Sequence, residues 1–437
     1  MKTSLFYLPA LFLLFTIISN VKCQNISQWR GLNRDGIYNE KNLLKSWPAN
    51  GPQLLWSTDQ IGLGYSSPVV SDNMIYVNGE INQVSHLFAF DLNGRLMWKY
   101  ANGPEFFGEG YSANFPGARS APTVYNGFVY ICSGMGRIAC LDAITGKEKW
   151  TTNMVTDLDG VINMFGCSES LLVDETRVYC YPGGKETNVV ALDRLTGKVI
   201  WKSQAKGDGV SFCSPMMIKL QERTGAREIK NSENGESMNK TVKYPPLNIL
   251  VTISKEYLQG INAENGELLW WHKEDSVKLE GEHCNTPVYA DGAIYCISGD
   301  DNGNGAYKLQ LSPDGKGIKE VWRNGRVLNA LGGFVKIGNR IYTSSKDNKL
   351  KVLDTETGNI TEMLSGMKGN IIFADDMLYF YSDNGYLSLI KGVGTKLEVV
   401  SKFKITKGEK EHFSHPVISN GVLYIRHGSA LMAYGVK

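Results

Sequence analysis

A short apolar run entered through proline or a stand-in, with a tyrosine ending a second apolar run eight positions later, recurs along the chain. The pairs are Pro68 and Tyr76, Pro122 and Tyr130, Leu171 and Tyr179, Pro287 and Tyr295, Phe334 and Tyr342, Ile371 and Tyr379, and Pro416 and Tyr424. One further copy opens at Ser214-Pro215-Met216 and is interrupted. Most copies continue through alternating positions to Asp or Asn, a glycine turn and a tryptophan, as in Leu141-Asp142 to Trp150, Leu192-Asp193 to Trp201, and Ile261-Asn262 to Trp270. Alternation with a period of two, punctuated by turn residues, predicts short strands, four to a unit. A four-stranded unit returning every 40 to 50 residues or so cannot bury both faces alone and must stack on its neighbours. The pattern therefore predicts an all-β chain, an eight-bladed β-propeller whose core lies between blades.

The turn phrase Asp-x-x-Thr-Gly-Lys, at Asp142 to Lys147 and Asp193 to Lys198, reads as a hairpin in which Asp caps its own backbone and Gly takes the positive φ. Its carboxylates are turn chemistry rather than catalysts. The repeated tryptophan supplies a broad apolar surface to wedge between blades. The last copy stops before any tryptophan-bearing strand, while Gln53-Leu54-Leu55-Trp56 stands without partners ahead of the first copy. An N-terminal strand completing the last blade would close the ring and remove two sheet edges.

One domain is expected over residues 24–437, with an arm and closing strand at 24–56. The stretch 221–246, polar and ending in Pro245-Pro246, reads as a mobile hairpin insertion in the fourth blade. Residues 1–23 carry Lys2, an apolar run from Leu5 to Ile18 and a short polar end, the pattern of a cleaved signal peptide. Export to the periplasm or the outside is expected; lipid anchoring through Cys23 is the weaker alternative, because Lys22 stands where a small residue is needed. Lysine plus arginine number 46 against 44 acidic residues, and loss of Lys2 and Lys22 with the leader evens the two. No basic stripe for nucleic acid exists, no other segment would span a membrane, and a monomer is expected.

Cys132, Cys140, Cys180 and Cys296 fall inside strand patterns and act as small apolar residues. Cys213 and Cys284 stand at the openings of successive blades and could bridge in an exported protein. In a propeller, equivalent positions ahead of each innermost strand gather at one mouth of the central channel. Aligning the copies puts Ser66, Ser120, Glu169, Cys213, Asn285 and Ser414 in one ring, with Gly332 and Gly369. Tyr65, Arg119, Ser168, Phe212, Cys284, Leu331, Lys368 and Phe413 form the ring beside it, and His412 and His415 join from the last blade. Arg119 and Glu169 are expected to pair across neighbouring blades, tying the mouth together. Nucleophile-elbow, zinc-protease and phosphate-loop motifs are absent. Asp300-Asp301-Asn302-Gly303-Asn304-Gly305 crowds oxygens around glycines but lacks the terminal Glu of a calcium loop.

The arm Trp29-Arg30-Gly31-Leu32-Asn33-Arg34-Asp35-Gly36, then Trp47-Pro48 and Leu55-Trp56, and the blade phrases Gly64-Tyr65-Ser66-Ser67-Pro68 and Leu192-Asp193-Arg194-Leu195-Thr196-Gly197-Lys198 together resemble the bacterial proteins with PQQ-like β-propeller repeats. That superfamily includes calcium- and quinone-dependent alcohol dehydrogenases as well as a non-enzymatic lipoprotein of the outer-membrane β-barrel assembly machinery, so fold does not fix function. The resemblance implies first an exported binding or scaffolding module of the cell envelope without cofactor, its partner a protein or small ligand at the propeller faces. The alternative is a quinoprotein dehydrogenase with PQQ and calcium at the channel mouth. In that alternative Arg119 would meet the quinone's carboxylates, and Glu169 and Asn285 would hold calcium. Those dehydrogenases set a pair of adjacent, disulfide-bonded cysteines against the quinone, and this chain has no adjacent cysteines. A glycan- or peptide-binding propeller using Tyr65, Phe212 and Phe413 is a third reading.

Overall fold

The computed structural model describes residues 26–230, 237–274, 283–299 and 304–437. The leader, Cys23 and the first four residues of the Asp300 run lie outside them. The described chain forms eight sheets of four antiparallel blade strands around a central channel, plus one separate hairpin. In the second blade the strands are Thr123–Tyr125, Phe128–Cys132, Arg137–Asp142 and Glu148–Asn153, running from the channel outward. A blade face is apolar because both faces meet neighbours. Tyr130, Cys132, Ile138 and Cys140 of this blade pack with Leu171, Val178, Val190 and Leu192 of the next, and Cys132, Cys140, Cys180 and Cys296 are all buried as apolar filler.

The repeated phrase has a structural logic at the blade junctions. Tyr130 Oη and Trp150 Nε1 both donate to the carbonyl of Arg194, in the next blade's turn, at 3.2 and 3.0 Å. Trp201 Nε1 likewise donates to the Ala263 carbonyl at 3.1 Å, while the Tyr179 hydroxyl, 3.5 Å from that carbonyl, donates to Asp174 Oδ2 at 2.6 Å. The turn itself is capped by Asp: Thr196 N and Oγ1 both donate to Asp193 Oδ1 at 2.8 Å, which holds that carboxyl below its usual range. Gly197 sits at φ +70°, and a Cβ there would come within 2.5 Å of the Trp150 ring. Gly is thus required twice, by the backbone and by the ring laid against it.

Closure follows the same rule. Gln53–Thr58 pairs antiparallel with Ala430–Gly435 as the outermost strand of the last blade. Trp56 Nε1 donates to Leu92 O at 2.8 Å, and its ring lies against Gly94 of the first blade's turn. The N-terminus therefore supplies the missing tryptophan of the eighth blade. The insertion in the fourth blade is a hairpin, Arg223–Lys230 against Ser237–Tyr244, anchored to the fifth blade by Arg223 Nε donating to Pro313 O at 2.6 Å.

The rest of the arm enters the channel. Ile26–Ser27 adds to the innermost strand of the second blade, and Ile37–Tyr38 adds in parallel to that of the seventh, Gly369–Ala374. Between them the chain turns through Arg30 and Arg34, both at φ 60°, and drives their side chains into the blades. Arg30 donates to the carbonyls of Ile371, Asp35 and Phe334 at 3.1, 3.2 and 2.5 Å. Arg34 donates to Ser170, Leu171 and Pro215 at 2.7, 2.6 and 3.1 Å. Gly36 and Gly333 leave room for Arg30: a Cβ at either would fall within 2.4 Å of its guanidinium. Burial pushes the Arg30 pKa down to about 10 and that of Arg34 to about 9, so both remain charged near neutrality.

Candidate functional site

The arm divides the channel into two recesses. On the side where innermost strands end, Leu32, Asn33 and Arg34 share a recess of about 510 Å³ with Tyr125, Lys219 and Tyr289. On the side where those strands begin lies a cup of about 310 Å³, at the lower end of the size of ligand sites. Seven of the eight positions of one aligned ring line it: Tyr65, Arg119, Ser168, Phe212, Cys284, Leu331 and Phe413. The eighth, Lys368, instead pairs with Asp383 at 3.5 Å.

The neighbouring ring does not reach the cup. Successive side chains of an extended chain point to opposite sides, so Tyr65 and its equivalents face the channel, the next residue turns between blades, and Ser170, Ser214 and His415 face inward again. Glu169 is buried, its Oε1 accepting from Tyr181 N at 2.8 Å and its Oε2 without a partner. Burial raises its pKa to about 7, against a smaller opposing pull from Arg34. Asn285 is also buried, its amide donating to Ile297 O and Asn329 O at 2.9 and 2.6 Å. The two calcium candidates thus serve blade interiors, and only Arg119 of the three candidate residues faces the cup.

The expected pair of Arg119 and Glu169 does not form among the described residues. Glu169 has turned into the blade, and Arg119 holds its own loop, donating to Gly117 O and Phe115 O at 3.0 and 2.5 Å. The guanidinium is flanked by the rings of Tyr65 and Phe165, with Cζ 5.5 and 5.4 Å from their centroids. Burial lowers its pKa, offset by Tyr65, Glu105 and Glu411. The Cys213–Cys284 bridge is absent too: the Cys213 thiol points to the carbonyls of Ser214 and Asn285, at 3.3 and 3.6 Å, and no disulfide is formed among the described cysteines.

Aromatic residues make the wall continuous. Phe165 lies 6.0 Å from Phe115 and 5.7 Å from Phe212, and Phe413 lies 5.4 Å from Tyr65. Trp29 of the arm forms the floor, edge-on to His415 at 5.1 Å. Sequence reading placed Tyr65, Phe212 and Phe413 at the mouth but missed Trp29, Phe115 and Phe165, because arm and loop residues have no counterpart in the repeat. Two arginines four residues apart, Arg30 and Arg34, around the Gly31 turn were the available signal.

These features define an eight-bladed propeller with a channel stoppered by its own N-terminal arm and an aromatic cup above the stopper. The model of the family described as "Outer membrane protein assembly factor BamB" matches residues 94–224. The assembly factor BamB of Yersinia pestis is 23% identical over 257 residues, 53% of this chain and 62% of that protein. The quinoprotein alcohol dehydrogenase PedH of Pseudomonas putida is 25% identical over 223 residues, 50% of this chain and 31% of the dehydrogenase. The chain spans less than two thirds of the length of these curated relatives. Among solved structures, BamB from Moraxella catarrhalis matches with a TM-score of 0.57 at 11% identity, over 88% of this chain and 98% of that one. A europium-containing methanol dehydrogenase matches at 0.50 and 12%, over 92% and 90%; both likenesses concern the fold. The resemblance read from the arm and blade phrases is borne out: the chain is an eight-bladed propeller similar to BamB and to quinoprotein alcohol dehydrogenases alike.

Proposed function

We propose that this chain is an exported binding module of the cell envelope, acting through a propeller face and without PQQ or calcium. The lining of the cup carries this reading: it is aromatic, holds one arginine, and contains no carboxylate. A calcium ion takes six to eight oxygen ligands, usually with carboxylates among them. Glu169 offers its unpartnered oxygen inside a blade rather than to the cup. Among the described residues no group of three or more His, Cys, Asp or Glu side chains is placed to hold a metal ion. The residues present do not fit the pair of calcium and a quinone bearing several carboxylates. Among the described residues no helix is long and apolar enough to cross a membrane, and the similarity to an outer membrane assembly factor agrees with a place in the envelope. The test is titration of the purified protein with PQQ and calcium, followed by absorbance and thermal shift. No uptake is expected; stoichiometric, calcium-dependent uptake with alcohol oxidation by an artificial electron acceptor would replace this reading with the dehydrogenase.

A further inference from the structure

Three levels of the cup offer different chemistry. At the rim, Tyr111 is 66% exposed, in the loop that also carries Phe115. At mid-depth, Arg119 makes no ion pair with any described carboxylate; Glu105 and Glu411 act on it only from longer range. Two of its five N–H donors are spent on loop carbonyls, and its faces are covered by rings. Such a guanidinium recognises a carboxylate through its edge more readily than water does, because the surrounding rings keep solvent away.

The floor offers one oriented donor. Arg30 Nη1 lies 3.0 Å from His415 Nδ1, and a guanidinium can only donate, so Nδ1 is the accepting nitrogen. The neutral ring then carries its proton on Nε2, which has no hydrogen-bond partner among the described residues and belongs to a side chain lining the cup. Burial and the adjacent Arg30 charge hold the His415 pKa well below its usual value, which keeps this tautomer in place at neutral pH. The occupant that matches carries an anion at mid-depth, an aromatic body below it with an oxygen at its tip, and an apolar continuation outward over the rim.

We propose that the cup binds the C-terminus of a polypeptide ending in tyrosine: the terminal carboxylate on Arg119, the ring between Phe165, Phe212 and Trp29, and the phenol oxygen accepting from His415 Nε2. The preceding residues leave over Tyr111. The exposed rim aromatic Tyr111 favours a chain end over a free small acid, since a small molecule seated below would leave it uncovered. The inference rests on the binding-module reading and names its ligand.

Fluorescence anisotropy with the full chain and a short labelled peptide ending in tyrosine tests it. The free acid is expected to bind about tenfold or more tighter than the same peptide amidated, the worth of a charge-assisted bond, and tighter than versions ending in phenylalanine or alanine. Arg119→Met should erase the difference between acid and amide. Because that variant also removes the bonds holding the loop, the comparison of acid with amide on the unaltered protein decides. Equal binding of the two, or no binding of either, overturns the proposal. N-acetyl-tyrosine binding as tightly as the peptide would assign the cup to a free aromatic acid and overturn it as well. Peptide failure together with absence of PQQ uptake removes the ligand alone; PQQ uptake with alcohol oxidation removes the module reading itself.

Discussion

Two parts of one N-terminal arm close this molecule by different chemistry. Gln53–Thr58 closes the ring with a backbone ladder and a tryptophan that obeys the blade rule, docking on the Gly94 turn as Trp150 docks on Gly197. Residues 26–38 close the channel with strands only two residues long at each end, and the grip comes from Arg30 and Arg34 on carbonyls of four blades. A ladder is satisfied by any sequence of the right pleat, whereas a stopper of buried guanidinium groups needs each carbonyl in place. The first is repetition, the second a fitted part.

Deletion separates them. Removing residues 26–58 takes away stopper and strand, leaving the last blade one strand short, baring the edge of Ala430–Gly435 and uncovering the first blade's Gly94 turn where Trp56 docks. Loss of a single cooperative melting transition is the expected result. Removing 26–38 alone should leave a folded ring of lower stability with an open channel, detectable as a retained cooperative transition at reduced temperature. If both truncations melt alike, the contrast between ladder and stopper is gone.

Single substitutions sharpen the contrast. Arg34→Met takes the guanidinium donor from the buried carbonyls of Ser170 and Pro215 and one of two donors from Leu171 O, which also accepts from Thr123 Oγ1, and costs about 3 kcal/mol or more. Arg30→Met should cost a similar amount and also release His415 from its fixed tautomer. Trp56→Ala should cost about 2 to 3 kcal/mol, less than a fully enclosed aromatic, because Trp56 is only partly buried. Denaturant melts at constant pH measure all three. A Trp56 loss exceeding that of Arg34 would reverse the ranking and make the ladder the fitted part.

The sequence made the ring legible because the repeat is itself the packing unit. Tyr130, Trp150 and Gly197 recur at fixed offsets since each blade must meet the next in the same way, and the orphaned Trp56 completed the series. The stopper was hidden for the converse reason. Trp29, Arg30 and Arg34 occur once, their partners are backbone carbonyls that any residue supplies, and nothing in local pattern says that an arm threads a channel. The mouth ring was half legible. Alignment found the correct level for Arg119 and for Glu169, but one step of pleat sends adjacent residues to opposite sides, so Glu169 and Asn285 went between blades and the expected ion pair did not form.

Glu169 carries the smallest and most selective expectation. Its folded pKa, about 7, lies above its ordinary value of 4.5, so between those values the folded chain holds a proton the unfolded chain has released. Stability from this group is complete below pH 4.5 and is lost as pH rises through about 7. Glu169→Gln keeps an oxygen for the Tyr181 N–H and removes the titration. The variant should match the wild type near pH 4.5 and exceed it by about 1 to 3 kcal/mol at pH 8. His415, with its lowered pKa, tilts the profile of both proteins the other way, destabilising them in acid, and cancels in the difference. Denaturant melts of both proteins from pH 4.5 to 8 supply that difference. Should Glu169→Gln be the less stable protein at pH 8, attraction between the carboxylate and Arg34 outweighs burial, and Glu169 belongs to the stopper's grip rather than to a blade interior that bears an unpaired charge.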